Sequence, residues 1–366
     1  MNTAIHRSPQ QLDVVVIGAG QAGLAVGHHL AAQGADFVVL ESASEIGSSW
    51  RNRWDSLRLF SPAQFDSLPG LPFPAPADTH PSKDQVADYL SAYAAHFDLP
   101  VRVNAPVRRL HRDDDGSFLV DTPTGVLRAS QVVVATGPFQ RPSVPSLAAD
   151  LDTGVTQLHS ADYRTPAQLG SGRVLVVGAG NSGLQIAAEL SETCAVTVAM
   201  GSRPVELPQR VAGRDLFHWL TKVGFFALRA DSFLAQRLRS RGDLVIGTRT
   251  ARLRRRGIRF RARLTGFEGD VAVFADGSSL GVDSVVWATG FGADYSWLHV
   301  PGVVVDGQVQ HREGVTHTRG LYFIGLPWQT SRGSALLGFV GRDAAALADR
   351  MRRDGSLHRR ALPVPA

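Results

Sequence analysis

The stretch Val14-Val15-Val16-Ile17-Gly18-Ala19-Gly20-Gln21-Ala22-Gly23 decides the fold, and Val174-Leu175-Val176-Val177-Gly178-Ala179-Gly180-Asn181-Ser182-Gly183 repeats it. Each copy is an apolar run that reads as a buried strand, then G-x-G-x-x-G, then a helical pattern. A lone glycine pattern is weak, because any tight strand-to-helix turn favours glycine; the strand before it makes each copy a phosphate-binding fingerprint. The first glycine permits the sharp turn, the second lets backbone approach a pyrophosphate, and the third lets helix pack on strand. The helix N-terminus then faces the anion.

Two dinucleotide units in one chain point to FAD plus NAD(P)H, and the strand after each fingerprint tells them apart. Phe37-Val38-Val39-Leu40 ends at Glu41, twenty-three residues after Gly18. A carboxylate there can accept hydrogen bonds from a ribose 2′-OH, as the adenosine of FAD requires. Ala195-Val196-Thr197-Val198-Ala199 ends at Met200 with no carboxylate, and Ser202-Arg203 follow. A phosphorylated ribose would meet a donor and a cation there, so the second unit reads as the NADPH site. One charge-assisted hydrogen bond contributes roughly 1.5–3 kcal/mol, enough for Arg203 to favour NADPH over NADH by about ten- to a hundred-fold.

The 366 residues suffice for two domains. No run is long and apolar enough to span a membrane, and Met1 to Leu12 lacks the apolar core of a signal peptide, so a cytoplasmic protein is expected. The one cysteine, Cys194, has no partner for a C-x-x-C pair. Dithiol chemistry and a Cys/His metal cluster are therefore excluded, and Cys194 reads as core. The net charge of +5 owes much to Arg252, Arg254, Arg255, Arg256, Arg259, Arg261 and Arg263. This stretch carries no DNA-binding motif, and the alternation through Ile258-Arg259-Phe260-Arg261-Ala262-Arg263-Leu264 predicts a strand with one solvated face; nucleic acid is not expected as a partner. Steering of anionic NADPH would be a by-product.

Along the chain, Lys83 to Phe97 has helical spacing after a Pro81-Ser82 cap, and Val107 to Arg128 reads as a small antiparallel meander. Val132-Val133-Val134-Ala135-Thr136-Gly137 and Val285-Val286-Trp287-Ala288-Thr289-Gly290 are strands with the same ending, and these two turns read as crossing points. The second nucleotide unit lies between them. The fold class is therefore α/β, with two Rossmann-like domains of the three-layer ββα type and the NADPH domain inserted into the FAD domain. The boundaries follow as 1–150 for the first part of the FAD domain, 151–289 for the NADPH domain, and 290–366 for the return, with strand Leu321-Tyr322-Phe323-Ile324 and helix Arg342 to Met351. Gln140 to Gly172 and Gly290 to Gly320 read as linkers. Gly213 to Arg241 holds a helical insertion with Leu216, Phe217, Trp219, Leu220, Phe225, Phe226 and Leu228, which either walls a substrate pocket or is ordinary core.

The chain resembles the flavin-containing monooxygenases, in particular the YUCCA-like branch and bacterial flavoproteins labelled as cation-transport-associated. Gly47 and Trp50-Arg51-Asn52-Arg53-Trp54, Ser61-Pro62-Ala63-Gln64-Phe65, Leu68-Pro69-Gly70-Leu71-Pro72-Phe73-Pro74, His159-Ser160-Ala161-Asp162-Tyr163-Arg164 and Trp287-Ala288-Thr289-Gly290-Phe291 carry the likeness beside the glycine motifs. Two departures stand out. Only the His-to-Tyr half of the family signature F-x-G-x-x-x-H-x-x-x-Y matches, and Phe60 stands where many members carry an asparagine near the nicotinamide.

The resemblance implies that NADPH reduces FAD, that reduced flavin meets O2, and that a C4a-hydroperoxide transfers one oxygen atom to a small organic substrate with an N-, S- or carbonyl-type centre. No side chain is assigned as catalytic; Asn181, Phe60 and Ser61 are expected near the reacting flavin atom. FAD is expected on Gly18, Gly20, Gln21, Gly23 and Glu41, with Trp50, Arg51, Val107, Thr136, Gly137, Ser334 and Leu336. NADPH is expected on Gly178, Gly180, Asn181, Ser182, Gly183, Ser202 and Arg203, with Thr289 as a further cofactor contact. His159 and Tyr163 would support the interdomain linker. Two other readings stand beside this one: an NADPH-dependent flavin reductase or oxidase that oxygenates nothing, and a redox flavoprotein partner of a cation-efflux system. Substrate and oligomeric state are left open.

Overall fold

Val14, Val15 and Val16 are fully buried because the strand they form, β1 (Gln10–Ile17), is covered on both faces. In the computed structural model, which describes residues 9–239 and 244–355, Val14 and Val16 face a helical layer while Val15 and Ile17 face the layer beyond the sheet. Residues 1–8 of the Met1 to Leu12 stretch, and residues 240–241 at the end of the insertion, lie outside the described residues. Burial of each such valine stabilises the fold by roughly 1.5–3 kcal/mol, which explains the uninterrupted apolar run.

From β1 the chain enters α1 (Gln21–Ala32) and β2 (Phe37–Leu40), then α2 (Lys83–His96), β3 (Val101–Arg102), β4 (Arg109–Arg112), β5 (Phe118–Thr122) and β6 (Gly125–Val134). The Pro81-Ser82 cap is a capping box: the Ser82 hydroxyl accepts from the Gln85 amide and the Gln85 side chain accepts from the Ser82 amide. The next unit runs through β7 (Thr156–His159), β8 (Arg173–Val177), α3 (Asn181–Leu190), β9 (Ala195–Ala199), α4 (Leu216–Lys222), β10 (Arg259–Arg261), β11 (Leu264–Glu268), β12 (Val271–Phe274), β13 (Ser279–Gly281) and β14 (Ser284–Trp287). The chain returns through β15 (Leu298–His299), β16 (Leu321–Phe323) and α5 (Gly341–Asp354).

The first sheet has the order β15-β4-β5-β6-β1-β2-β3, with β16 also paired to β6; β16, β6, β1, β2 and β3 run parallel there. The second sheet is all parallel, in the order β10-β9-β8-β14-β7. It is covered on one face by α3 and on the other by the antiparallel sheet β11-β12-β13, so Val174 and Val176 pack toward the helix and Leu175 toward that sheet. Both units are thus Rossmann-like α/β layers, and the strands of the second sheet fall in sequence between strands of the first. A continuous apolar core joins their helical sides, running from Val14, Leu24 and Tyr93 through Trp54 and Tyr163 to Val176 and Leu184.

Two expectations need correction. The first linker contains β7, which pairs with β14 as the edge strand of the second sheet, and the second linker contains β15. Edge strands bury little, so Thr156-Gln157-Leu158-His159 has no apolar run to announce it. The arginine-rich strand is shorter than its alternation implied. Arg252, Arg254 and Arg255 lie on the helix Thr250–Arg255, Gly257 at φ +90° ends it, and the strand stops at Arg261 because Leu264 starts β11 in the neighbouring sheet.

Candidate functional site

The two glycine fingerprints fold into near-identical cradles. Gly18 (φ +106°) lies so close to the strand end that a Cβ would stand 2.7 Å from the Ala135 carbonyl oxygen, and one on Gly23 would stand 1.9 Å from the Gly18 oxygen. At Gly178 and Gly183 the corresponding distances are 2.3 Å to the Ala288 oxygen and 2.1 Å to the Gly178 oxygen. Gly20 and Gly180 differ: a Cβ there would meet nothing within 4 Å, so each opens onto free space above its helix N-terminus. Neither α1 nor α3 has a side-chain cap or an acidic residue in its first turn. Their first amides are left for an anion, which is the arrangement a pyrophosphate needs.

The ends of the second strands differ as their sequences require. Glu41 folds back over the first cradle, its carboxylate accepting from the Ala19 amide (3.0 Å) and the Ala43 amide (3.0 Å). Beyond β9, Gly201, Ser202 and Arg203 are exposed. From two residues beyond the neighbouring β10, Arg263 donates to the Gly201 carbonyl at 3.1 Å, adding a second guanidinium at this corner.

The remaining expected residues are spread around the two cradles. Thr136 and Gly137 follow β6 beside Gly18, both accepting from the Gln140 side chain, while the Thr289 hydroxyl donates to the Ser143 carbonyl. Gln21 and Ser182 are half-buried in the first turns of α1 and α3. Trp50 is half-buried, whereas Arg51 is engaged by Asp88 (2.7 Å), Glu45 (3.3 Å) and Asp84 (3.4 Å); Val107 packs under the meander. Ser334 is fully buried, its hydroxyl accepting from the Thr330 and Ser331 amides, and Leu336 belongs to the aromatic cluster described next. Asn181 has its side-chain amide bonded to the Leu244 carbonyl (2.9 Å) and the Ile246 amide (3.3 Å), which ties the second cradle to the strand beside the insertion.

That insertion lies on the Phe60–Asp66 stretch. Phe217 and Phe226 are stacked (4.9 Å), Phe217 packs on Phe60 (5.9 Å) and Phe65 (6.0 Å), and Phe226 on Phe339 (4.4 Å). A polar set lies beside these rings. The Ser61 hydroxyl donates to Asp66 Oδ1 (2.6 Å), while Asp66 Oδ2 is buried with no hydrogen-bond partner among the described residues. Burial pushes the Asp66 carboxyl up to about 7, against the opposing pull of Ser61 and His80. His80 meets Asp215 (3.4 Å), and Gln209 donates to both Asp215 (2.7 Å) and the Phe60 carbonyl (3.0 Å). Sequence reasoning missed Asp66, His80, Gln209 and Asp215. Their only trace was the phenylalanine-rich run near Asp215.

The linkers form a second seam. Arg141-Pro142 pairs with Phe291-Gly292, joining the segments that leave the two sheets. His159 Nδ1 accepts from the Ala161 amide (3.1 Å), so Nε2 carries the proton and donates to the Gly290 carbonyl (3.0 Å). Burial holds this imidazole below its ordinary pKa, hence neutral. Its ring packs edge-on against Phe291 (5.0 Å), over which the Arg53 guanidinium also lies (4.9 Å). Tyr163 is fully buried and donates to Glu189 at 2.9 Å.

These residues fit two dinucleotides: open glycines over uncapped helix ends, a carboxylate after one second strand and guanidinium groups after the other. Comparison with known proteins agrees. Residues 15–213 match the family model described as pyridine nucleotide-disulphide oxidoreductase. The chain is similar to an uncharacterized CzcO-like oxidoreductase of Geobacillus kaustophilus, 45% identical over 92% of this chain and 97% of that protein. It is 30% identical to the indole-3-pyruvate monooxygenase YUCCA8 of Oryza sativa subsp. japonica, over 90% and 86% of the two chains. A flavin-containing monooxygenase from Stenotrophomonas maltophilia superposes with a TM-score of 0.80 at 30% identity, over 94% and 99%. The chain belongs to the flavin-containing monooxygenase family, in its YUCCA-like and CzcO-like branch, within the pyridine nucleotide-disulphide oxidoreductases. It is a flavin-dependent oxidoreductase, and its family implies FAD and a pyridine nucleotide. Among the described residues no helix is long and apolar enough to cross a membrane.

Proposed function

We propose that the protein is an NADPH- and FAD-dependent monooxygenase, with FAD on the Gly18 cradle and NADPH on the Gly178 cradle. One atom of O2 enters a small organic substrate, the other leaves as water, and NADPH supplies the two electrons. The observation that carries this reading is the continuous contact from the second cradle to the flavin side of the first. Asn181 is bonded to the Leu244–Ile246 strand, Ile246 packs with Phe217 and Phe226, and these rings cover Phe60, Phe65 and Leu336. An enzyme that oxygenates has to keep water from the reacting centre, and an aromatic cover supplies that exclusion. Bound FAD would supply the electron transfer and oxygen activation.

The chain's own residues bind, orient and shield. The α1 and α3 N-termini hold the pyrophosphates, Glu41 takes a ribose hydroxyl, and Ser202 and Arg203 take the ribose phosphate. Asp66 keeps a proton on a buried carboxyl up to near-neutral pH, beside Ser61. The similarity to monooxygenases over most of the chain, including one acting on indole-3-pyruvate, supports oxygen transfer and puts keto acids among the candidate substrates with amines and sulfides.

The test is product analysis by mass spectrometry under ¹⁸O2 with NADPH and a panel of amines, sulfides and keto acids. Label in a product is the expected result. Peroxide released in one-to-one proportion to NADPH consumed, with every candidate, would replace oxygenation by plain oxidase chemistry. Negligible turnover with a copurifying partner would favour a redox-partner role.

A further inference from the structure

The His80 imidazole is placed so that only its charged form satisfies its surroundings. Nδ1 faces the Leu59 carbonyl at 3.1 Å and Nε2 faces the Asp215 carboxylate at 3.4 Å, both of them acceptors. A neutral imidazole has one N–H, so one of the two contacts would then be lost. These acceptors belong to different parts of the chain. Leu59 precedes Phe60 and Ser61, whereas Asp215 is the N-cap of α4 in the insertion, accepting from the Phe217 amide at 2.9 Å. Gln209 makes a second tie across the same gap, from Asp215 to the Phe60 carbonyl.

We propose that His80, as imidazolium, is a positioning residue that pins the insertion onto the Phe60–Asp66 stretch, so that the aromatic cover over the cleft loosens as pH rises. This rests on the reading of that stretch as the flavin side of the site. The titratable groups facing His80 are the Asp215 carboxylate at the start of α4 and Asp66 from the stretch itself, the latter protonated up to about pH 7; both are buried. The bond to Asp215 favours the protonated ring and outweighs burial, so His80 lies above its ordinary pKa. At Asp215 burial works toward protonation, but the bonds from His80, Gln209 and Phe217 prevail and hold it below the usual carboxylate range. A group raised in this way keeps its contact fully below the ordinary imidazole pKa and loses it as pH climbs through the raised value. Phe217 is seated by the N-cap that Asp215 provides, so release of His80 leaves the Gln209 tie and weakens the hold on the ring that packs on Phe60 and Phe65.

Hydrogen–deuterium exchange of residues 209–228 in the FAD-loaded full-length protein, corrected for intrinsic rates, tests this between pH 6 and pH 9. Loss of one charge-assisted hydrogen bond corresponds to roughly a ten- to hundred-fold change in an opening equilibrium, and exchange of the segment should accelerate by that order. In an Asp66→Asn background, which removes the carboxyl that titrates near 7, His80→Gln should exchange at the fast rate already at pH 6 and show no pH dependence, while exchange of the β1 segment stays unchanged. Asp215→Asn should abolish the pH dependence in that background as well. A wild-type segment whose corrected exchange does not vary between pH 6 and pH 9, or a His80→Gln protein with the wild-type pH profile, would overturn the inference. If the profile behaves as expected but no product carries ¹⁸O, the latch stands and the oxygenation reading fails.

Discussion

At the scale of single residues, the glycines of one fingerprint do different jobs that a substitution can separate. Gly20 has backbone angles any residue adopts (φ −75°) and open space where a Cβ would point. Gly23 has the Gly18 oxygen 1.9 Å from that position. Gly20→Val should therefore purify without flavin, with a urea midpoint nearly equal to that of wild type stripped of its flavin. Gly23→Ala should lose about 1–3 kcal/mol of stability by overpacking, read from the same urea titration. Equal loss of stability in both would show that Gly20 serves packing rather than ligand approach.

At the scale of elements, the short stretch from Ser61 to Asp66 carries a pH dependence. Asp66 keeps its proton to about pH 7, whereas the unfolded chain releases it near the ordinary carboxylate pKa. Folding stability from this group is thus full below the ordinary value and is lost as pH rises through about 7, with the unfolded state binding fewer protons over that window. His80 adds a slope of the same sign at higher pH, so the comparison with a variant isolates Asp66. Asp66→Asn should flatten the fall in stability between pH 4 and 7 by on the order of 2–4 kcal/mol, measured by denaturant midpoints across pH. A wild-type curve that instead rises over this range would refute the buried protonated carboxyl. Element legibility follows burial. β1, β8 and β14 announce themselves because both faces are covered, while β7 and β15 are edge strands with little apolar surface and so fell inside presumed linkers.

At the scale of the whole molecule, two nucleotides on separate cradles should stabilise the fold in additive steps. A ligand at a hundred times its Kd contributes about 2.7 kcal/mol, so FAD should raise the melting temperature and NADP⁺ should raise it again. Arg203→Ala should remove most of the NADP⁺ step while leaving the FAD step intact. Loss of both steps would mean that the two sites are not independent. Arg263, anchored on the Gly201 carbonyl, is the reason a remnant of the second step is expected in that variant.

By itself, the sequence determined the two cradles, the acid after one strand and the arginine after the other. Those are local demands: a turn too tight for a Cβ, a strand covered on both sides, a charge at a fixed distance along the chain. Only the tertiary structure decided what stands between the cradles. Leu59, His80, Gln209 and Asp215 meet because two separated segments are folded against one another, and the Arg263 contact exists because β10 lies beside β9. No spacing or periodicity encodes a contact between segments so far apart. Long-range packing brings such groups together, and burial then sets their charge.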